Sequence, residues 1–415
     1  MRNNIQGILM QHRVAGKTDL TCRGLDVSAH RCHVVTRSMN TPSLQIVNPT
    51  GHLRVIVTKP LPGTHWLDVL TAAGCRVEIA TGDDILSGQE IIALIGDRCH
   101  AAIGQLTESW DTGLFAALKH AGGRAYSNYA VGYNNVDLPA ASACGIPVGN
   151  TPGVLTETTA EIAVALTFSA ARRIVEADRF MRGGQFKGWL PGLFLGNLLH
   201  GKTVGVIGAG RIGEAYARMM VEGHKMNLVY FDPRPNIPLE EFVHAYGAFL
   251  TNHGGPAVTC RRAATVDCLL EDADVVSLHT LLDAGTRHLI NAERLALMKP
   301  DAILINTSRG PVVDEAALVA HCRSHPDFRA GLDVFENEPA MAPGLADLEN
   351  VVLVPHIASA TKWTREGMAS LAACNVAAIL RGYPVAAVGD VRPFLAGTPP
   401  QAAPSIVNAH ELGLA

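Results

Sequence analysis

Val204–Asp232 reads VGVIGAGRIGEAYARMMVEGHKMNLVYFD, and this stretch decides the fold. Val204, Gly205, Val206 and Ile207 form the short apolar run of a buried parallel strand. Gly208-Ala209-Gly210-Arg211-Ile212-Gly213 follows at once, and a helical pattern begins inside it. Gly208 permits a tight turn, Gly210 lets the backbone approach a pyrophosphate, and Gly213 lets the helix pack closely on the strand. A phosphate held there faces unpaired N–H groups and the positive end of the helix dipole. A second apolar run, Leu228-Val229-Tyr230-Phe231, ends in Asp232. That acid stands about two dozen positions after Gly208, near the ~20 expected of the carboxylate that binds the adenosine ribose. One glycine fingerprint alone is weak evidence, but strand, glycines, helix, strand and acid in this order point to a nicotinamide dinucleotide. Asp232 disfavours a 2′-phosphate, so NADH is the preferred cofactor, while Arg234 two residues on leaves NADPH open.

The 415 residues suffice for two domains with real cores. A hydrophobic share of 48%, a charged share of 17% and a net charge of −4 give no sign of a nucleic-acid or membrane-surface partner. No apolar run approaches the ~20 residues of a membrane span. Nine scattered cysteines without a CxxC pair argue against a disulfide framework or a metal site and for reduced thiols inside the cell.

Residues 1–43 differ from the rest. Arg2, Arg13, Lys17, Arg23, Arg31 and Arg37 are opposed only by Asp19 and Asp26, the composition of a transit peptide. From Leu53 a βα rhythm begins, with short strands expected at Leu53–Thr58, Arg76–Ala80, Ala101–Leu106, Arg124–Ser127 and Ile146–Val148. Thr156–Met181 reads as one long helix crossing between domains. Phe186–His200, rich in Gly, Pro and large apolar residues, reads as an arm suited to a second copy in a homodimer. After Asp232 comes a long polar segment, Pro233–Thr265, with a helix expected near Leu239–Leu250. Strands resume at Asp274–His279, Ala302–Thr307, Arg329–Val334 and Val351–Val354, and Ala360–Leu380 reads as a returning helix. The Gly/Pro-rich stretch within 396–415 reads as a flexible tail.

The pattern implies an α/β fold of two Rossmann-like parallel-sheet domains with the active site in the cleft between them. The expected division is 44–168 with 362–395 for substrate and 169–361 for the dinucleotide. Ligands bind at the carboxyl ends of strands in such sheets, and three successive strand ends carry Arg309, Glu338 and His356. They suit hydride transfer to a small 2-keto acid. Arg309 can grip the carboxylate with a two-pronged hydrogen bond and polarise the carbonyl. His356 can donate a proton to the carbonyl oxygen, and Glu338 can hold the far ring nitrogen and stabilise the imidazolium. Reduction needs His356 protonated, so it is expected to fade at alkaline pH.

The segments NTPGVLTETTAE, VGVIGAGRIG, NTSRGPVVDEAAL, GLDVFENEP and VPHIASATKWTREGM resemble the D-isomer-specific 2-hydroxyacid dehydrogenases. Within that family, SNYAVGYNNVD and KWTREGMASLAACNV resemble the NADH-dependent hydroxypyruvate and glyoxylate reductases of plants and algae. The resemblance implies catalytic roles for Arg309, Glu338 and His356, and carboxylate binding by the amides of Val131 and Gly132. It implies cofactor contacts at Thr159, Gly208, Gly210, Arg211, Ile212, Gly213, Asp232, Thr307, Ser308 and Asp333, and a pocket-sizing role for Trp363. It also implies the reduction of hydroxypyruvate to D-glycerate and of glyoxylate to glycolate in photorespiratory metabolism.

Thr280 departs from the family's frequent Pro, and Ala358 from its frequent Gly. Plant relatives end in a Ser-Lys-Leu peroxisomal address where this chain reads Gly413-Leu414-Ala415. With the basic N-terminus, that makes a mitochondrial location the expectation, with the chloroplast as alternative. Two other functions stay open at this point: a phosphoglycerate-type dehydrogenase, and an NAD-sensing interaction protein like the family's corepressors.

Overall fold

A computed structural model describes residues 43–386 and 390–414. The expected transit segment therefore lies outside the described residues, apart from Ser43.

The strands are β1 Leu44–Val47, β2 Leu53–Val57, β3 Cys75–Ala80, β4 Ala101–Gly104, β5 Ala125–Asn128 and β6 Val148–Gly149, followed by β7 Thr203–Ile207, β8 Asn227–Phe231, β9 Cys260–Arg262, β10 Val275–Leu278, β11 Ile303–Asn306, β12 Arg329–Leu332 and β13 Val351–Leu353. They form two sheets. The first runs β1-β3-β2-β4-β5-β6, parallel except for the antiparallel edge strand β1. The second runs β13-β12-β11-β10-β7-β8-β9 and is parallel throughout. Its order turns back between β7 and β10, which is where a crevice opens for a ligand. Apolar clusters cover both faces of each sheet, and this is why the strands read as continuous rather than alternating runs. The helix Lys362–Leu380 returns to the first sheet, burying Met368, Leu371 and Val376 against Val55, Val77 and Ile103.

Three expectations change. The stretch Thr156–Met181 is two helices, Thr156–Ala171 and Ile174–Arg182. Arg173 breaks it with a left-handed φ of 54°, held by its ion pair to Glu176 and by the Phe194 ring 5.0 Å from its guanidinium carbon. The segment after Asp232 carries the expected helix, as Ile237–Asn252, and differs only in adding β9 to the sheet edge. The tail is not a flexible one. Ile406 pairs with Gly149, Ala403, Ile406 and Ala409 pack on Ala378, and Asn408 is buried beneath β6. Side chains whose partners lie far away in sequence hold it, so a reading of local composition misses them.

Candidate active site

The glycine turn takes the form that its residues dictate. Gly208 has φ of +93°, and a Cβ there would stand 2.7 Å from the His279 carbonyl oxygen. A Cβ on Gly213 would stand 2.0 Å from the Gly208 carbonyl oxygen, so helix and strand meet only because both residues are glycine. A Cβ on Gly210 would meet nothing within 4 Å. The helix Arg211–His224 starts at Gly210 without a side-chain cap, leaving its first N–H groups to a ligand. At the end of β8 the Asp232 carboxylate accepts hydrogen bonds from the N–H groups of Ala209 (3.0 Å) and Arg234 (3.0 Å).

A cavity of about 340 Å³ lies between Ile212, in the first turn of the helix that follows the glycine turn, and the loop after β5. Val131 and Gly132, beyond β5, line one side. Thr159, Ile212, Thr307, Ser308, Arg309 and His356 line the other. Eight predicted site residues thus meet in one space. Arg309 donates from Nε to Asn134 Oδ1 (2.8 Å) and from Nη1 to the Ser308 carbonyl (2.7 Å). Its guanidinium lies directly over Gly132. Burial disfavours its charged form, and the nearby Glu338 charge offsets part of that cost.

His356 donates from Nδ1 to Glu338 Oε2 at 2.9 Å, the tautomer that an ionised carboxylate requires. Its backbone sits at φ +52°, a left-handed conformation that costs a non-glycine residue about 1 kcal/mol or more. Asp333 holds it there. The Asp333 carbonyl accepts from the His356 N–H (2.9 Å), and its carboxylate accepts from the N–H groups of Ile357 (2.6 Å) and Ala358 (2.9 Å). Burial raises the Asp333 carboxyl above its usual range despite those bonds. Burial would raise Glu338 too, but the His356 hydrogen bond and charge, the Phe335 N–H and Arg309 outweigh it and leave that carboxyl low. A second imidazole lines the cavity, but burial pushes His279 down to about 3, so it stays neutral at physiological pH. His356 is the imidazole of the cavity with a carboxylate partner, and such a group can donate a proton there.

The dinucleotide implied by the turn fits these residues. The buried hydroxyls of Thr280 and Thr307 have no protein partner, and both residues line the cavity between the turn and Arg309. Eight predicted residues are not on the cavity wall: Gly208, Gly210, Arg211, Gly213 and Asp232 form the glycine turn and the end of β8, and Glu338, Asp333 and Trp363 stand elsewhere. Glu338 reaches the cavity only by way of its hydrogen bond to His356. The Asp333 carboxylate is engaged by backbone amides rather than facing the cavity. Trp363 is 63% exposed at the start of its helix and is not among the lining residues. Asn134, on Arg309, and Asn306, which accepts from the Ser308 N–H (3.0 Å) and donates to the Arg309 carbonyl (2.9 Å), shape the site without having been expected. Asn134 lies in the quoted SNYAVGYNNVD, where a polar loop after a strand was the available signal.

Residues 164–358 match the family model described as "D-isomer specific 2-hydroxyacid dehydrogenase, NAD binding domain". The chain is 62% identical over 374 residues to the glycerate dehydrogenase of Cucumis sativus, covering 89% of this chain and 98% of that protein. The chain belongs to the D-isomer-specific 2-hydroxyacid dehydrogenase family. A further relative, the Arabidopsis thaliana protein named "Glycerate dehydrogenase HPR, peroxisomal", is 61% identical over 376 residues, covering 90% of this chain and 97% of that one. Among solved structures, a Thermus thermophilus protein superposes with a TM-score of 0.70 at 39% identity, covering 80% of this chain and 97% of that chain. This dehydrogenase is therefore an oxidoreductase with a nicotinamide-dinucleotide domain, acting on a small keto or hydroxy acid.

Proposed function

We propose that this dehydrogenase reduces hydroxypyruvate to D-glycerate, and glyoxylate to glycolate, with NADH preferred over NADPH, within photorespiratory glycolate metabolism. Residues 44–168 with 362–395 form the substrate part in this reading, and 169–361 the dinucleotide part. The observation that carries it is the meeting of Arg309 and the Glu338-bound His356 in one cavity with the Val131-Gly132 backbone. When bound, the nicotinamide supplies the hydride. Arg309 takes the substrate carboxylate and draws electron density from the adjacent carbonyl. The Val131 and Gly132 N–H groups take the other carboxylate oxygen. His356 delivers a proton to the carbonyl oxygen, and Glu338 keeps the ring aimed and favours its charged form. Glyoxylate presents the same 2-oxo carboxylate with a smaller substituent. Gly208, Gly210, Arg211, Ile212 and Gly213 would hold the pyrophosphate, Asp232 the adenosine ribose, and Thr159, Thr307 and Ser308 the nicotinamide side. The absorbance at 340 nm, followed with each acid against NADH and NADPH, tests the reading, and comparable kcat/KM for the two cofactors would remove the NADH preference.

We also infer a homodimer. Five large apolar side chains within residues 186–198, Phe186, Trp189, Leu190, Leu195 and Leu198, are exposed, Trp189 82% so, a concentration that suits an interface. Light scattering on the purified protein checks it, and a monomeric mass refutes it. The basic composition of the first 43 residues supports mitochondrial import, whereas the Arabidopsis relative is named peroxisomal. A fluorescent fusion of the full chain decides between them.

A further inference from the structure

The segment after Asp232 is anchored to the glycine turn through one side chain. Asn236 precedes the helix Ile237–Asn252, and its Oδ1 accepts from the Leu239 N–H at 3.0 Å, capping that helix. Its Nδ2 reaches away from the helix. It donates to the Ala209 carbonyl at 2.9 Å and to Glu214 Oε2 at 3.0 Å. The Asn236 N–H donates to the Tyr230 hydroxyl at 3.0 Å, which fixes the residue on β8.

Two consequences meet at the phosphate end of the site. Ala209 is the middle residue of the Gly208-Ala209-Gly210 turn. Its N–H is held by Asp232 and its carbonyl by Asn236, so the peptides on either side of it are both pinned. Glycine on each flank gives this turn more freedom than any other residue would, and ordering it on binding would cost conformational entropy. Glu214 lies in the first turn of the Arg211–His224 helix, where a free carboxylate would repel a diphosphate. Asn236, with the Arg218 guanidinium at 2.8 Å, holds that carboxylate toward the helix Ile237–Asn252.

We propose that Asn236 is a positioning residue for the dinucleotide, and that the long segment after Asp232 serves to brace the phosphate-binding turn. This rests on the dinucleotide reading of the site. NADH titrations followed by fluorescence, without substrate, test it on the full chain. Ser caps helices as well as Asn but cannot reach Ala209. Asn236→Ser is expected to raise the Kd for NADH about 3- to 10-fold, the loss of one or two hydrogen bonds' net worth. Its Tm should fall less than that of Asn236→Ala, by no more than the lost Ala209 and Glu214 bonds account for, and its kcat at saturating NADH should stay at the wild-type value. Asn236→Ala is expected to show the same rise in Kd together with a lower Tm. A Ser variant with wild-type Kd overturns the proposal, and so does a rise in Kd that comes only with matching losses in Tm and kcat. A wild-type protein that does not bind NADH removes the dinucleotide reading itself, and the proposal with it.

Discussion

Arg309 and Gly132 come from different sheets and touch: a Cβ on Gly132 would stand 1.8 Å from the Arg309 Nη2. The conflict falls on the far end of a flexible side chain, so folding can absorb it by moving the guanidinium. Gly132→Ala should leave the Tm unchanged while kcat/KM for the keto acid falls about 10²-fold, the scale of an ångström-sized misplacement. Steady-state kinetics beside a melting curve check it, and wild-type kcat/KM would show that the guanidinium is not needed at that spot.

Glu338 gives a pH signature. Its carboxyl is held below the usual carboxylate range, so its contribution to stability is fully present above about pH 4.3 and is lost as pH falls through the lower folded value. Glu338→Gln should cost on the order of 10² in kcat at neutral pH, because His356 loses its charged partner. The Tm gap between wild type and variant should narrow as pH falls below the carboxylate range. A gap that stays constant down to about pH 2 would count against the ionised pair.

Asp333 has the opposite sign. Burial raises its carboxyl, so its ionisation cost is present at neutral pH and is relieved as pH falls through the raised value. In the proposed mechanism it acts through its grip on the His356, Ile357 and Ala358 N–H groups. Asp333→Asn should therefore lower kcat at least 10-fold while leaving the Kd for NADH within about twofold. That split separates a residue that aims His356 from one that binds cofactor, and a large rise in Kd would favour the cofactor role.

What the residue order could reveal was chemistry at the ends of apolar runs. Arg309, Glu338 and His356 each follow a strand that is buried on both faces, and parallel topology then brings neighbouring strand ends together. What it could not reveal was anything dependent on a distant partner. The left-handed turn at Arg173 has no glycine to announce it. Asn134 acquires its role only when β11 and β5 bring their loops together. The edge strands β1 and β9 are only four and three residues long, so their pairing is invisible until their neighbours exist.

The cofactor end yields a selectivity test. Asp232 holds the Ala209 N–H, and in the proposed reading its carboxylate repels a 2′-phosphate. Asp232→Ala should raise the KM for NADH about 10-fold and narrow the ratio of NADH to NADPH efficiency, since the repulsion of the 2′-phosphate is gone. Parallel kcat/KM measurements with both cofactors check it, and an unchanged ratio would remove Asp232 as the selector.

The docked tail makes a prediction about stability without one about chemistry. Asn408 is 1% exposed, accepts from the Val148 N–H (2.8 Å), and donates to the Ile146 carbonyl (3.0 Å) and the Ser142 hydroxyl (3.0 Å). Asn408→Ala leaves the Val148 N–H and the Ile146 carbonyl without these partners in a buried place, at about 1–3 kcal/mol for each such group. The Tm should fall by several degrees. The site lies at the other sheet's strand ends and in the loop after β5, so kcat/KM at 25 °C should stay within about twofold of wild type. Differential scanning calorimetry with assays at low temperature checks both halves. A variant that melts like wild type would mean the last residues lie on the first sheet without stabilising it.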